Sequence, residues 1–213
     1  MSMRRNLRAV LALVVLTTTS VPALADTWKN AADGVSMELV GQVNNVGASS
    51  IQFGYLSFIN GIDTATIFSG TDQNETTALF SFYNDTTTRR TIVNGPLRVI
   101  DRDGTATVYF NTVPDGTFAE PDSFRNGDAV LAATLRHQVI VDTLTGSFTA
   151  TFVLTVTSNE SFSLGDESFR LGKVGQTLRL TFIGHLNTPA PPAGHIAGFV
   201  VGGDLTQLET DGG

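Results

Sequence analysis

The sequence predicts an all-β fold: a single antiparallel domain of roughly nine to eleven strands, with a soluble β-barrel favoured over a β-sandwich. Three observations lead there. Apolar and polar residues alternate with a period of two along most of the chain, as in strands that bury one face and wet the other. Gly-, Asn- and Asp-rich steps separate these runs at the spacing of an antiparallel meander. After residue 25 no window supports a long amphipathic helix. Without helices, half-apolar strands cover their greasy side with a second sheet or by closing on themselves.

Residues 1–25 have the three parts of an export leader, and the domain is expected over residues 26–213. Arg4, Arg5 and Arg8 give a basic start, Ala9 to Leu16 is an unbroken apolar run, and Ala23 and Ala25 are small residues where a signal peptidase reads. Cleavage after Ala25 is the expectation. The apolar run spans only about 12 Å of a hydrocarbon core about 30 Å thick, so no membrane span is expected. An exported chain without cysteine fits a secreted or periplasmic, bacterial protein, held together by its core rather than by disulfides.

Composition removes several classes of function. The 213 residues contain no Cys, which excludes a thiol nucleophile, a zinc ribbon and an iron–sulfur cluster. Lys and Arg number 13 against 20 Asp and Glu, and losing the leader deletes three arginines and no acid. No nucleic-acid partner is expected of so acidic a chain. With 41% hydrophobic residues, the domain can bury enough surface to offset chain entropy.

The strands follow in order. Met37, Leu39 and Val43 share one parity, as do Ile51, Phe53, Tyr55 and Ile59, then Ala78, Phe80 and Phe82. Asn60 to Ile67 and Glu120 to Arg125 have room for one helical turn each. Asp103-Gly104 between Leu97–Ile100 and Thr105–Phe110 is the strongest short hairpin signal. Further reversals are expected at Asn94-Gly95-Pro96, Pro114-Asp115-Gly116, Asn126-Gly127-Asp128 and Thr145-Gly146. Leu131, Ala133, Leu135, Val139 and Val141 alternate next, then Phe148, Ala150, Phe152, Leu154 and Val156, then Leu178, Leu180, Phe182 and Leu186. The stiff stretch from Thr188 to Gly194 should connect the last two strands. Runs near 130–141 and 147–158 are long enough for tilted barrel strands. Gly41, Gly54, Gly184 and Gly198 would let such strands bend.

Chemistry-bearing patterns are sparse. No Gly-x-Ser-x-Gly elbow occurs, and the acids sit in turns rather than as a pair flanking a cleft. His137 shares the apolar parity of its strand and His185 the polar one, so with His195 they do not converge as metal ligands. Asp101-Arg102-Asp103-Gly104 places its glycine fourth, where a calcium loop needs it sixth, and reads as a turn. Neither a metal nor a cofactor is expected, and no catalytic residue stands out.

A hollow barrel would use His137 or the nearby Tyr109 to orient a guest, with Phe53 and Tyr55 among its aromatic lining. In length, leader and strand number the chain is broadly similar to secreted calycin-like barrels and to the allene oxide cyclase and dirigent type. The likeness is architectural. The Gly-x-Trp motif of lipocalins is absent, since the sole tryptophan, Trp28, precedes Lys29-Asn30, and no functional residue carries over. The leading expectation is a non-catalytic exported barrel that binds a small apolar molecule or a cell-surface partner. The alternatives are a cyclase- or isomerase-like enzyme acting on an apolar guest, and an envelope interaction module.

Overall fold

The computed structural model describes residues 27–30 and 34–208, so the expected leader lies outside the described residues. The described strands are β1 (Thr27–Asn30), β2 (Val35–Val46), β3 (Ser49–Ile59), β4 (Phe80–Asn94), β5 (Leu97–Phe110) and β6 (Asp128–Asp142). They continue with β7 (Ser147–Asn159), β8 (Ser161–Leu164), β9 (Glu167–Leu171), β10 (Thr177–Leu186), β11 (Gly194–Val201) and β12 (Asp204–Leu208). Eight of them form a closed antiparallel barrel in the order β2-β3-β4-β5-β6-β7-β10-β11, with β11 paired back onto β2. Closure pairs both edges of the meander. The remaining four make a small sheet in the order β1-β12-β9-β8. These short strands carry the count past the expected nine to eleven.

The alternation read from sequence is visible strand by strand. Along β7, Phe148, Ala150, Phe152, Leu154 and Val156 are buried while the residues between them are exposed. The outer face carries Thr149, Thr151, Thr155 and Arg179 with Val153 and Ile183 among them, so the continuous apolar row is the inner one. Membrane-spanning barrels have the opposite arrangement, with apolar residues outward and a polar interior. Short 3₁₀ turns occur at Thr64–Ile67 and Pro121–Arg125, within the two stretches given room for a helical turn. The segment 187–193 joins β10 to β11, the last two strands of the barrel.

Two local expectations fail. Asp103-Gly104 makes no hairpin: β5 runs straight through it, with Gly104 paired to Thr86 on one side and Leu135 on the other. Gly104 is needed for space, since a Cβ there would lie 1.9 Å from the Asp85 carbonyl oxygen. The reversal comes earlier, where Asn94 pairs with Leu97 and leaves Gly95-Pro96 as a two-residue turn. Gly95 takes the positive φ of 58° that such a turn requires at its first position. On β3 the apolar parity of Ile51, Phe53 and Tyr55 faces out, whereas Ser50, Gln52 and Leu56 on the other parity are buried. The outer side of β3 is covered by residues 111–127, which bring Phe118 and Phe124 onto Phe53.

The two ends of the barrel differ. At one end Phe162 of β8 wedges against Phe80 and Phe110, with ring centroids 5.0 and 5.5 Å apart. Phe169, Leu171 and Leu205 of the small sheet and Ile62 and Ile67 of the β3–β4 connection join the same core. At the other end lie the tips of the β2–β3, β4–β5, β6–β7 and β10–β11 hairpins, and the core there opens into a cavity.

Phenylalanine rings opposite glycines fill the waist. Gly54 pairs with Gly41 on one side and with Phe82 on the other, and Gly184 pairs with Phe148. A Cβ on Gly54 would lie 2.1 Å from the Val40 carbonyl oxygen and 3.0 Å from the Phe82 ring. Gly54→Ala should therefore destabilise by about 1–3 kcal/mol through overpacking, read as a lower urea midpoint. Gly70→Ala, whose added Cβ would meet only Thr77 Cγ2 at 3.7 Å, should stay within about 0.5 kcal/mol of the parent. Equal losses from the two would refute the steric account.

Candidate functional site: the cavity at the open end

The cavity has a volume of about 220 Å³, larger than the ~150 Å³ apolar cavity known to accept benzene. One wall is apolar: Phe148, Ala150 and Phe152 of β7, Phe182 and Leu186 of β10, and Ile196 of β11. The alternation that buries one face of these strands also aims this row inward. The other side carries Asn45 of β2, Gln52 of β3, Arg102 of β5 and His137 of β6, with the exposed Arg98 at the rim. No acid lines the cavity, although the chain carries 20 of them.

Arg102 is the unusual member of this group. Its parity is that of Ala106, Val108 and Phe110, so it points into the barrel and is only 9% exposed. The Nε–H donates to Thr88 Oγ1 at 3.1 Å and Nη2 to Asn45 Oδ1 at 3.4 Å. Nη1 lies 3.3 Å from His137 Nε2. These contacts use three of the five guanidinium N–H bonds. The acids flanking Arg102 in sequence face outward and are engaged there. Asp103 accepts from Arg89 Nε at 2.9 Å, and Asp101 from Arg90 Nε at 2.8 Å and Gln138 Nε2 at 3.0 Å. Bonds from Gln138 and then Arg90 hold the Asp101 carboxyl below its ordinary range. Among the described residues no carboxylate forms an ion pair with Arg102. Burial lowers the proton affinity of its guanidinium, yet arginine stays charged.

His137 is 2% exposed and packs on Phe152 with ring centroids 4.4 Å apart. Burial first, and the Arg102 charge second, push its pKa down to about 3. The imidazole is therefore neutral near pH 7. An arginine can only donate, so Nε2 accepts and the proton is assigned to Nδ1. His137 Nδ1 and Gln52 Oε1 are buried atoms with no hydrogen-bond partner. Buried polar groups are ordinarily satisfied, and an orphan is costly.

Comparison with protein-family models, curated proteins and solved structures finds no match for the chain.

The four residues expected to contact a ligand do not come together. His137 lines the cavity; Phe53, Tyr55 and Tyr109 are not among its lining residues. Phe53 is fully buried on the outer side of β3, 5.6 Å from the Phe124 ring and 6.5 Å from Tyr83. Tyr109 packs against that outer cluster, which Arg125 borders with its guanidinium 4.9 Å from the Tyr83 ring centroid. Tyr55 contacts Phe68 and Phe118. The aromatic residues that border the cavity are Phe148, Phe152 and Phe182. His185 and His195 are exposed cross-strand neighbours on β10 and β11, apart from His137.

Proposed function

We propose that the protein is an exported, non-catalytic binding barrel that takes a small apolar molecule into the open-end cavity. The observation behind this reading is the asymmetry of the interior, filled by phenylalanines at one end and hollow with an apolar wall at the other. Barrel mouths are preferred ligand sites. A neutral polarity-sensitive probe, N-phenyl-1-naphthylamine, should bind the purified protein with a fluorescence rise. Ala150 is buried on the cavity wall, and Ala150→Phe should weaken that binding at least tenfold while circular dichroism keeps its β spectrum. No rise with the parent protein, together with no binding of slimmer decyl-chain probes, would overturn the proposal. Export is tested by fractionating the native host and sequencing the N-terminus, which should begin at Asp26.

A cyclase- or isomerase-like enzyme is the second reading. It is favoured by two ionisable groups, Arg102 and His137, with displaced proton affinities in one apolar cavity. The direction of the His137 shift speaks for binding. A general base works best with a pKa near the working pH, and His137 at about 3 is a feeble one.

A further inference from the structure

We infer that the molecule held in this cavity is an apolar compound bearing one carboxylate, whose headgroup pairs with the buried Arg102. The inference rests on the binding reading above and names its ligand class. Three features converge on it. The guanidinium is buried in a largely apolar chamber, and no described carboxylate forms an ion pair with it. A desolvated charge without a partner is expensive, and proteins ordinarily pair it. Two of its five N–H bonds have no partner, and a fork of this kind matches a planar carboxylate. Arg98 adds a second cation at the rim, and no acid lines the chamber to repel an anion.

The geometry also sets polarity. All four polar lining residues, Arg102, His137, Asn45 and Gln52, lie on β2, β3, β5 and β6, interspersed with Val43, Ile100, Val139 and Val141, while the lining from β7, β10 and β11 is wholly apolar. A guest with a charged head and a hydrocarbon body would satisfy both sides at once. A neutral hydrocarbon would leave the guanidinium unpaired, and an amine would meet like charge. Arg102 and His137 already fix each other's orientation, so little further ordering accompanies binding.

Three probes of matched tail test this: decanoate, decan-1-ol and decylamine, titrated calorimetrically at pH 7.5 below the solubility limit of the alcohol and the micelle concentrations of the two ionic probes. Decanoate should bind tighter than decan-1-ol by roughly tenfold to a hundredfold, the range for hydrogen bonds to a charged partner, and decylamine weakest. In Arg102→Met the acid and the alcohol should bind within about twofold of each other. Because that variant removes a buried group and could misfold, a second measurement uses the unaltered protein. Decanoate labelled with ¹³C at its carboxyl should show, when bound, a carboxyl pKa below that of the free acid. Equal affinities for acid and alcohol, or an unshifted or raised bound carboxyl pKa, would overturn the carboxylate assignment while leaving an apolar binding barrel in place. Failure of all three probes and of N-phenyl-1-naphthylamine would overturn both.

Discussion

Phe82→Ala is expected to lower the unfolding free energy by about 3–5 kcal/mol, at the costly end for a core truncation. Phe82 is 2% exposed and lies over two glycines, Gly41 and Gly54, where an added Cβ would come within 3.0 Å of its ring. On its other side it stacks on Phe182 with centroids 5.8 Å apart. Truncation costs most where neighbours cannot move into the vacated space, because the cavity persists and its lining loses contacts. Glycines have no side chain to reorient, and both are fixed in the β2–β3 ladder. Phe148 is the internal comparison. It too faces a glycine, Gly184, but one side of it already borders the open-end cavity, so Phe148→Ala should cost distinctly less. Urea unfolding of the two variants measures the difference, and a Phe82→Ala loss no greater than that of Phe148→Ala would contradict this account of the waist.

The barrel was legible because its strands are long and one-sided. On β7 five consecutive same-parity residues are apolar and buried, and one such strand fixes the frame for its neighbours through the ladder. The inward parity of His137 is legible for the same reason, since Leu135, Val139 and Val141 share it. Arg102 was hidden by a local signal. Taking Asp103-Gly104 as a hairpin breaks the parity frame between residue 100 and residue 106. With β5 continuous from Leu97 to Phe110, Arg102 falls on the inward parity of Ala106 and Val108. An Asp-Gly step reports local backbone preference. It does not distinguish a reversal from a close cross-strand approach, and here the approach to Asp85 decides.

The outward placement of Phe53, Tyr55 and Tyr109 is not legible in the sequence, for a different reason. Alternation shows which residues share a face, but not whether that face is covered by the barrel interior or by a loop. On β3 the apolar set lies outside and the set containing Ser50 and Gln52 lies inside. Residues 111–127 supply Phe118 and Phe124 to the outer set, and nothing in β3 itself announces that cover. The place of Gln52 in the cavity lining follows from this inversion.

Stability should fall as pH drops from 6.5 towards 4.5, and His137 should account for the fall. Its pKa is about 3 in the folded chain, against an unfolded value of about 6.5. Above pH 6.5 both states hold a neutral imidazole and the group contributes no pH dependence. Below it the unfolded chain takes up a proton that the native chain refuses, so unfolding is favoured by about 1.4 kcal/mol per pH unit. The loss reaches about 2 kcal/mol at pH 5 and continues until the folded pKa is passed. Asp101 and Asp142 are held below the ordinary carboxyl value by hydrogen bonds, so their stabilising share is lost only at lower pH. His137→Gln keeps an oxygen able to accept from Arg102 and removes the titration. Its urea midpoint should vary less between pH 7 and pH 5 by about that 2 kcal/mol. Identical slopes in parent and variant would rule out the buried neutral imidazole. The same neutrality bears on the cavity's chemistry. From pH 4.5 upward His137 adds no charge, and Arg102 remains the buried cation against which any headgroup must be matched.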